Sequence, residues 1–289
     1  MNEYKNAIEL KNITKRYDGF TLDHVSFNVP KGKIMGFIGQ NGAGKTTTIR
    51  SMLNVIHIDE GEINLLGLDY LKYEQQIKQR ISVIFDELPF HNVFNANDIA
   101  KIFEGIYDEW NNTTYKEYLD IFQLPRKKGV GDFSKGMKMK LQIACALSHN
   151  AELVIMDEAT AGLDPVVRDE VLQIFAKYVK DGKRSILMSS HITSDLDKIA
   201  DSVTFINKGR VLLTGEKKDL IENHCIIRCS VNDIKDLNSE DVVHIRVNED
   251  RADAMLNISY EQAKKINGSD VIVPTFDDIM LFYVAKDER

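Results

Sequence analysis

Residues 34–47 read Ile34-Met35-Gly36-Phe37-Ile38-Gly39-Gln40-Asn41-Gly42-Ala43-Gly44-Lys45-Thr46-Thr47. Ile34 to Ile38 is a short apolar run of the kind that forms a strand, and Gly39 to Thr46 fits the pattern G-x-x-x-x-G-K-[ST]. A helix is expected from Thr46 to Leu53. Each part has a physical task. The glycines let consecutive backbone N–H groups turn inward to cradle phosphate oxygens, and the helix N-terminus adds partial positive charge. Lys45 reaches the outer phosphates, and the Thr46 hydroxyl is a ligand for Mg²⁺. Gln40, Asn41, Ala43 and Thr47 complete the loop and its exit into the helix. The unit predicts a parallel α/β sheet whose ligand sits at the carboxyl ends of its strands.

Downstream, Leu153-Val154-Ile155-Met156 is a continuous apolar run ending in Asp157-Glu158. A strand buried on both faces delivers these two carboxylates to the same sheet edge. Asp157 is expected to hold Mg²⁺, and Glu158 to orient and deprotonate an attacking water. A strand ending in Asp-Glu is by itself more often a solvated terminus. Its weight comes from the phosphate loop that precedes it.

Between these motifs the pattern changes. Ala7 to Ile38 reads as strands with turns at Asp18-Gly19 and Pro30-Lys31-Gly32, an antiparallel β subdomain at the N-terminus. From about Asp86 to Asn150 the character is helical, with Asn97 capping a helix whose apolar face includes Ile99, Ile102, Phe103 and Ile106. Thr113 or Thr114 is expected to cap the next helix, and the whole segment reads as an inserted helical subdomain. Asp164 caps a helix beginning at Pro165, Ser185 to Ser190 is another buried strand, and Val203 to Thr214 a hairpin turning at Asn207-Lys208-Gly209. Composition shifts near Ile221. Residues 1–220 are therefore expected to form the main domain, and 221–289 a small α+β domain whose last helix starts at the Thr275-x-x-Asp278 cap.

Bulk properties narrow the function. A chain of 289 residues with 43% hydrophobic content suits one large domain with an appendage. A net charge of −7 gives no electrostatic reason to hold a nucleic-acid backbone, so no nucleic-acid partner is expected. Cys145, Cys225 and Cys229 are too few for a disulfide framework, and the Cys225/Cys229 pair within a strand pattern reads as packing. The first ten residues, MNEYKNAIEL, do not resemble a secretory signal, and no run approaches the roughly 20 apolar residues that cross a bilayer.

Further motifs carry a specific resemblance. Phe133-Ser134-Lys135-Gly136-Met137, about 90 residues after Lys45, resembles the signature motif of ABC ATPases, usually written LSGGQ. Ala161-Gly162-Leu163-Asp164 looks like their D-loop, His191 after Ser189-Ser190 like their switch histidine, and Tyr17 like the aromatic residue that stacks on adenine. Their order, covering roughly residues 7–220, makes the match strong where each piece alone is weak. Singly, Ser134 reads as a helix cap, His191 as a hydrogen-bonded strand end and Tyr17 as a surface residue beside a turn. Lys135 and Met137 depart from the family's Gly and Gln, and Asp86 stands where the Q-loop glutamine is usual, keeping an oxygen for Mg²⁺ but losing an amide donor.

The resemblance implies a P-loop ATPase core using ATP and Mg²⁺. Lys45, Glu158 and His191 carry catalysis. Ser134, Gly136 and Asp164 act on nucleotide held by a second subunit, in a homodimer or in a heterodimer with another ABC ATPase. It also implies a membrane permease subunit as partner, membrane contact only through that permease, and a place at the cytoplasmic face of the cell membrane. The S-K-G-M-K form looks like the type-2 exporter branch that includes bacterial peptide, antibiotic and lipid-linked exporters. Rival readings fare worse. Two-cassette translation factors and coiled-coil chromosome proteins do not match this layout, Glu158 argues against a silent ATP sensor, and a GTPase needs N-K-x-D where Asn207-Lys208 is followed by Gly209-Arg210.

Overall fold

In the strand of residues 34–38 Ile34 and Ile38 enter one apolar core, while Met35 and Phe37 enter another. The same split recurs two strands away, with Val154 and Met156 on the first side and Leu153 and Ile155 on the second. Side chains alternate along a strand, so a sheet with two apolar faces must be covered on both. Each fully buried side chain of this size contributes about 1.5–3 kcal/mol to folding.

The computed structural model describes residues 4–160, 163–266 and 270–287. In chain order the elements begin with β1 (Asn6–Tyr17), β2 (Phe20–Pro30), β3 (Ile34–Ile38), α1 (Lys45–Met52), β4 (Glu60–Leu65), β5 (Leu68–Asp69), α2 (Glu74–Lys78) and β6 (Ile81–Ile84). Then come α3 (Ala96–Ile106), α4 (Asn112–Ile121), α5 (Lys135–Ala146), β7 (Leu153–Asp157), α6 (Pro165–Tyr178), β8 (Ser185–Ser190), α7 (Thr193–Ile199), β9 (Ser202–Asn207) and β10 (Arg210–Glu216). The remainder is α8 (Lys217–Glu222), β11 (Cys225–Ser230), β12 (Val242–Asn248), β13 (Arg251–Leu256), α9 (Tyr260–Ala263), β14 (Asp270–Ile272) and α10 (Phe276–Asp287).

Three sheets result. The central one runs β10-β9-β3-β8-β7-β6, parallel except for β10. An antiparallel sheet, β2-β1-β4-β5, covers one face together with α1. Helices α3 to α7 contribute to the core on the other face. The third sheet, β12-β13-β11-β14, encloses its own apolar cluster, which includes the free and buried Cys225 and Cys229. Phe276, Ile279 and Phe282 of α10 join the central core instead. Among the described residues no helix is long and apolar enough to cross a membrane.

Local details correct the sequence expectations at two helix starts. Asn95, not Asn97, caps α3, and Asn111, not Thr113 or Thr114, caps α4. Each cap accepts from the N–H groups two and three residues on, so Asn97 and Thr113 are donors inside the first turn. Of the expected apolar face of α3, Ile99 is buried but Ile106 is exposed. Asp164, Pro165 and the Thr275/Asp278 pair start their helices as expected.

Candidate active site

The phosphate loop, Glu158 and His191 come together because β3, β8 and β7 are neighbours and end level. Ile38 pairs with Ser190, and Asp157 with Ser189, so the segments that follow all leave from one edge. Lys45 is 5% exposed, and its Nζ donates to the carbonyl oxygens of Gly39 at 2.6 Å and Gln40 at 3.2 Å. It also lies 3.0 Å from Glu158 Oε1. The other carboxylate oxygen of Glu158, Oε2, is 2.6 Å from His191 Nδ1. Three residues read as catalytic therefore form one continuous polar chain.

Glycine is required where the loop enters α1. Gly44 has φ +111°, and a Cβ there would lie 2.8 Å from Leu22 Cδ2 and 3.1 Å from Phe20 Cζ. Gly42 also has positive φ, but open space around it. Behind the loop, the Thr48 hydroxyl donates to Gly44 O at 2.8 Å, and the Gly209 N–H donates to Ala43 O at 2.9 Å. In front, Gln40, Asn41, Gly42, Gly44, Lys45, Thr46, Thr47, Glu158 and Phe20 line a cavity of about 440 Å³.

The Asp157 carboxylate and the Glu158 backbone are held by a residue to which the sequence reading gave no role. Ser189 Oγ donates to Asp157 Oδ1 at 2.7 Å and accepts from the Glu158 N–H at 3.1 Å. Glu158 itself has φ +55°, a left-handed conformation that costs a non-glycine residue about 1–3 kcal/mol. Such strain at the residue read as the base is maintained only because β7, β8 and the two ion contacts fix it from several sides. Thr46 and Asp157 offer one hydroxyl and one carboxylate, the sparse oxygen set that suits Mg²⁺ shared with phosphate oxygens.

The remaining sequence-predicted residues lie apart from this chain of contacts. Ser134 caps α5, accepting from the Met137 N–H at 3.2 Å, and Gly136 faces Leu163, whose Cδ2 would be 3.8 Å from an added Cβ. Asp164 caps α6 through the Val166 and Val167 N–H groups. Ala161 and Gly162 lie outside the described residues. Among the described residues no hydrogen bond or ion pair joins Ser134, Gly136 or Asp164 to Lys45, Glu158 or His191. Tyr17 is 44% exposed at the end of the β1–β2 hairpin, with Lys15 Nζ 5.8 Å from its ring centroid. Its register partner Phe20 lines the cavity, a contact the sequence gave no signal for.

Asp86 is in an ion pair with Lys135 at 2.7 Å. The backbone of the preceding residue is set by buried Gln142, which accepts from the Phe85 N–H at 3.2 Å and donates to Phe85 O at 3.0 Å. Thus two of the three departures from the family pattern touch each other.

Comparison with known proteins gives the family and the fold. Residues 22–161 match the family described as ABC transporter. A bacitracin transport ATP-binding protein of Bacillus licheniformis is 38% identical over 208 residues, covering 71% of this chain and 68% of that protein. A lantibiotic transport ATP-binding protein of Streptococcus pyogenes is 32% identical, covering 72% of this chain and 90% of its own. A solved structure described as an ATP binding subunit of an ABC transporter superposes with a TM-score of 0.68 at 26% identity, over 74% of this chain and 91% of the other.

Proposed function

The chain belongs to the ABC transporter family, as an ATPase that powers transport through a separate membrane permease, and we propose that it drives export by closing with a second ATPase subunit around ATP. The observation that carries the reading is the contact chain from Lys45 through Glu158 to His191 at one sheet edge. The bacitracin and lantibiotic transport named for two relatives supports export of an antibiotic-like molecule as the reading.

In this reading the loop from Gly39 to Thr47 binds the phosphates, Lys45 neutralises their charge, and Tyr17 stacks on the base. Thr46 and Asp157, with Asp86 as a further oxygen donor, would hold Mg²⁺, which would supply positive charge to the phosphate oxygens. Glu158 accepts the proton of the attacking water, and His191 holds that carboxylate in place while reaching towards the outer phosphate. Ser134, Gly136 and Asp164 serve the neighbour's nucleotide, which is why they stand apart from this chain's own Lys45. Transition-state charge is stabilised only when both surfaces meet, so the energy of ATP binding goes into closure. Opening and closing beneath a permease at the cytoplasmic face of the membrane then moves the transport path.

The test is Glu158→Gln in the purified chain. Phosphate release should fall by about 10²- to 10⁴-fold, while Mg-ATP converts the protein to a dimer measurable by light scattering. Hydrolysis at the unmodified rate would end the reading, and a protein that stays monomeric with saturating nucleotide would assign the second subunit to a different ATPase.

A further inference from the structure

Helix α10 carries two carboxylates that the ATPase chemistry does not use. Asp277, in its first turn, accepts a hydrogen bond from Thr193 Oγ1 at 2.6 Å. Asp287, at its other end, accepts one from Asn207 Nδ2 at 2.9 Å. Both donors belong to the ATPase core and are buried, 3% exposed for Thr193 and 5% for Asn207. Hydrogen bonds from such donors to carboxylates are roughly twice as strong as neutral ones.

Each donor stands two residues from a wall of the ATP site. Thr193 follows His191 and opens α7, so the Asp277 contact holds the exit of the segment that carries the histidine ring. Asn207 precedes Gly209, whose N–H reaches Ala43 O in the phosphate loop and whose carbonyl accepts from the Asp23 N–H at 2.9 Å. The turn cannot slide freely, because a Cβ added at Gly209 would overlap the Thr21 carbonyl oxygen. Between the two carboxylates, α10 is 12 residues and so about 18 Å long. Phe276 is fully buried edge-on to Phe205, with ring centroids 6.3 Å apart. Towards the small sheet, Arg246 lies 4.4 Å from the Phe282 ring centroid, and His224 Nε2 is 2.9 Å from the Tyr283 hydroxyl.

We propose that α10 is a strut that fixes the two walls of the ATP site relative to each other, with Asp277 and Asp287 as positioning residues. Asp277 sets the segment of His191, and Asp287 sets the phosphate loop through the turn at residues 207–209. The proposal rests on the assignment of Lys45, Glu158 and His191 to ATP hydrolysis. It gives residues 221–289 a function in turnover: the small sheet anchors the helix whose opposite face grips the motor.

Steady-state kinetics of the full chain tests this. Asp277→Ala and Thr193→Val should each lower kcat roughly three- to tenfold with KM for ATP within about twofold, and Asp287→Ala should raise KM by roughly three- to tenfold. Thr193→Ser and Asp277→Asn keep a donor and an acceptor in place and should restore the wild-type kcat. Melting temperatures separate positioning from folding. The strut is overturned if the alanine variants keep both constants. It is also overturned if their losses match the fraction unfolded at the assay temperature, or if the conservative variants fail to restore kcat. A Glu158→Gln variant that still hydrolyses ATP would instead overturn the site assignment beneath the proposal.

Discussion

Lys45 Nζ sits 3.0 Å from Glu158 Oε1, so the ammonium assigned to phosphate and the carboxylate assigned to water neutralise each other directly. A phosphate that takes the ammonium releases one side of Glu158, leaving it held by His191. Under the proposed assignment, nucleotide binding would thereby free Glu158 to act on water.

Lys45→Ala should weaken ATP binding by at least about tenfold, because a buried, charge-assisted contact is lost. Glu158→Gln removes the competing negative charge and should bind ATP at least as tightly as the wild type. Nucleotide titration followed by fluorescence or calorimetry decides the matter. Weaker binding by Glu158→Gln would show that the pair does not compete with phosphate.

Asp86 and Lys135 form the second informative pair. With about half of each side chain exposed, it should contribute no more than about 1 kcal/mol to stability. Its effect should appear in metal dependence, since with Asp86 as the proposed Mg²⁺ ligand Lys135 and the ion would compete for one carboxylate. Lys135→Ala should lower the Mg²⁺ concentration giving half-maximal hydrolysis, and Asp86→Ala should raise it. Identical Mg²⁺ curves for both variants would remove Asp86 from the metal site.

His149 predicts an acid limit to stability. Stacked on Tyr107 with ring centroids 3.8 Å apart, it is pushed by burial from 6.5 down to about 4. Between those values the unfolded chain binds a proton that the fold excludes. Its contribution is therefore complete above pH 6.5 and lost as the pH falls to about 4, a change on the order of 3 kcal/mol. Burial lowers His224 as well, in the same direction. Denaturant midpoints measured across this window should fall with acidification, and His149→Gln should make the fall shallower. An unchanged slope in that variant would mean that other groups dominate.

The order of strand, glycine loop and helix at 34–53 was legible because its chemistry is local: turn, cap and charge lie within about 20 residues of one another. The same holds for Asp164-Pro165 and for Thr275/Asp278, where a cap and the N–H groups that donate to it lie within one turn. Shifted caps at Asn95 and Asn111 show the limit of such reading, because several polar residues in a row offer equivalent oxygens. Strand β13, placed between β12 and β11, was not recognised, and neither was the addition of β4 and β5 to the N-terminal sheet.

By itself the sequence determined that a phosphate loop and two strand-end carboxylates exist, and which residue types stand in each motif. Tertiary structure alone decided that Ser189 holds the Asp157 carboxylate and the Glu158 backbone, that Asp86 meets Lys135, and that α10 ties Thr193 to Asn207 through its own two ends. Local conformational preference is written in neighbouring residues. Contacts across tens to more than a hundred positions depend on which strands become neighbours, and that is settled only when both faces of the central sheet are buried at once.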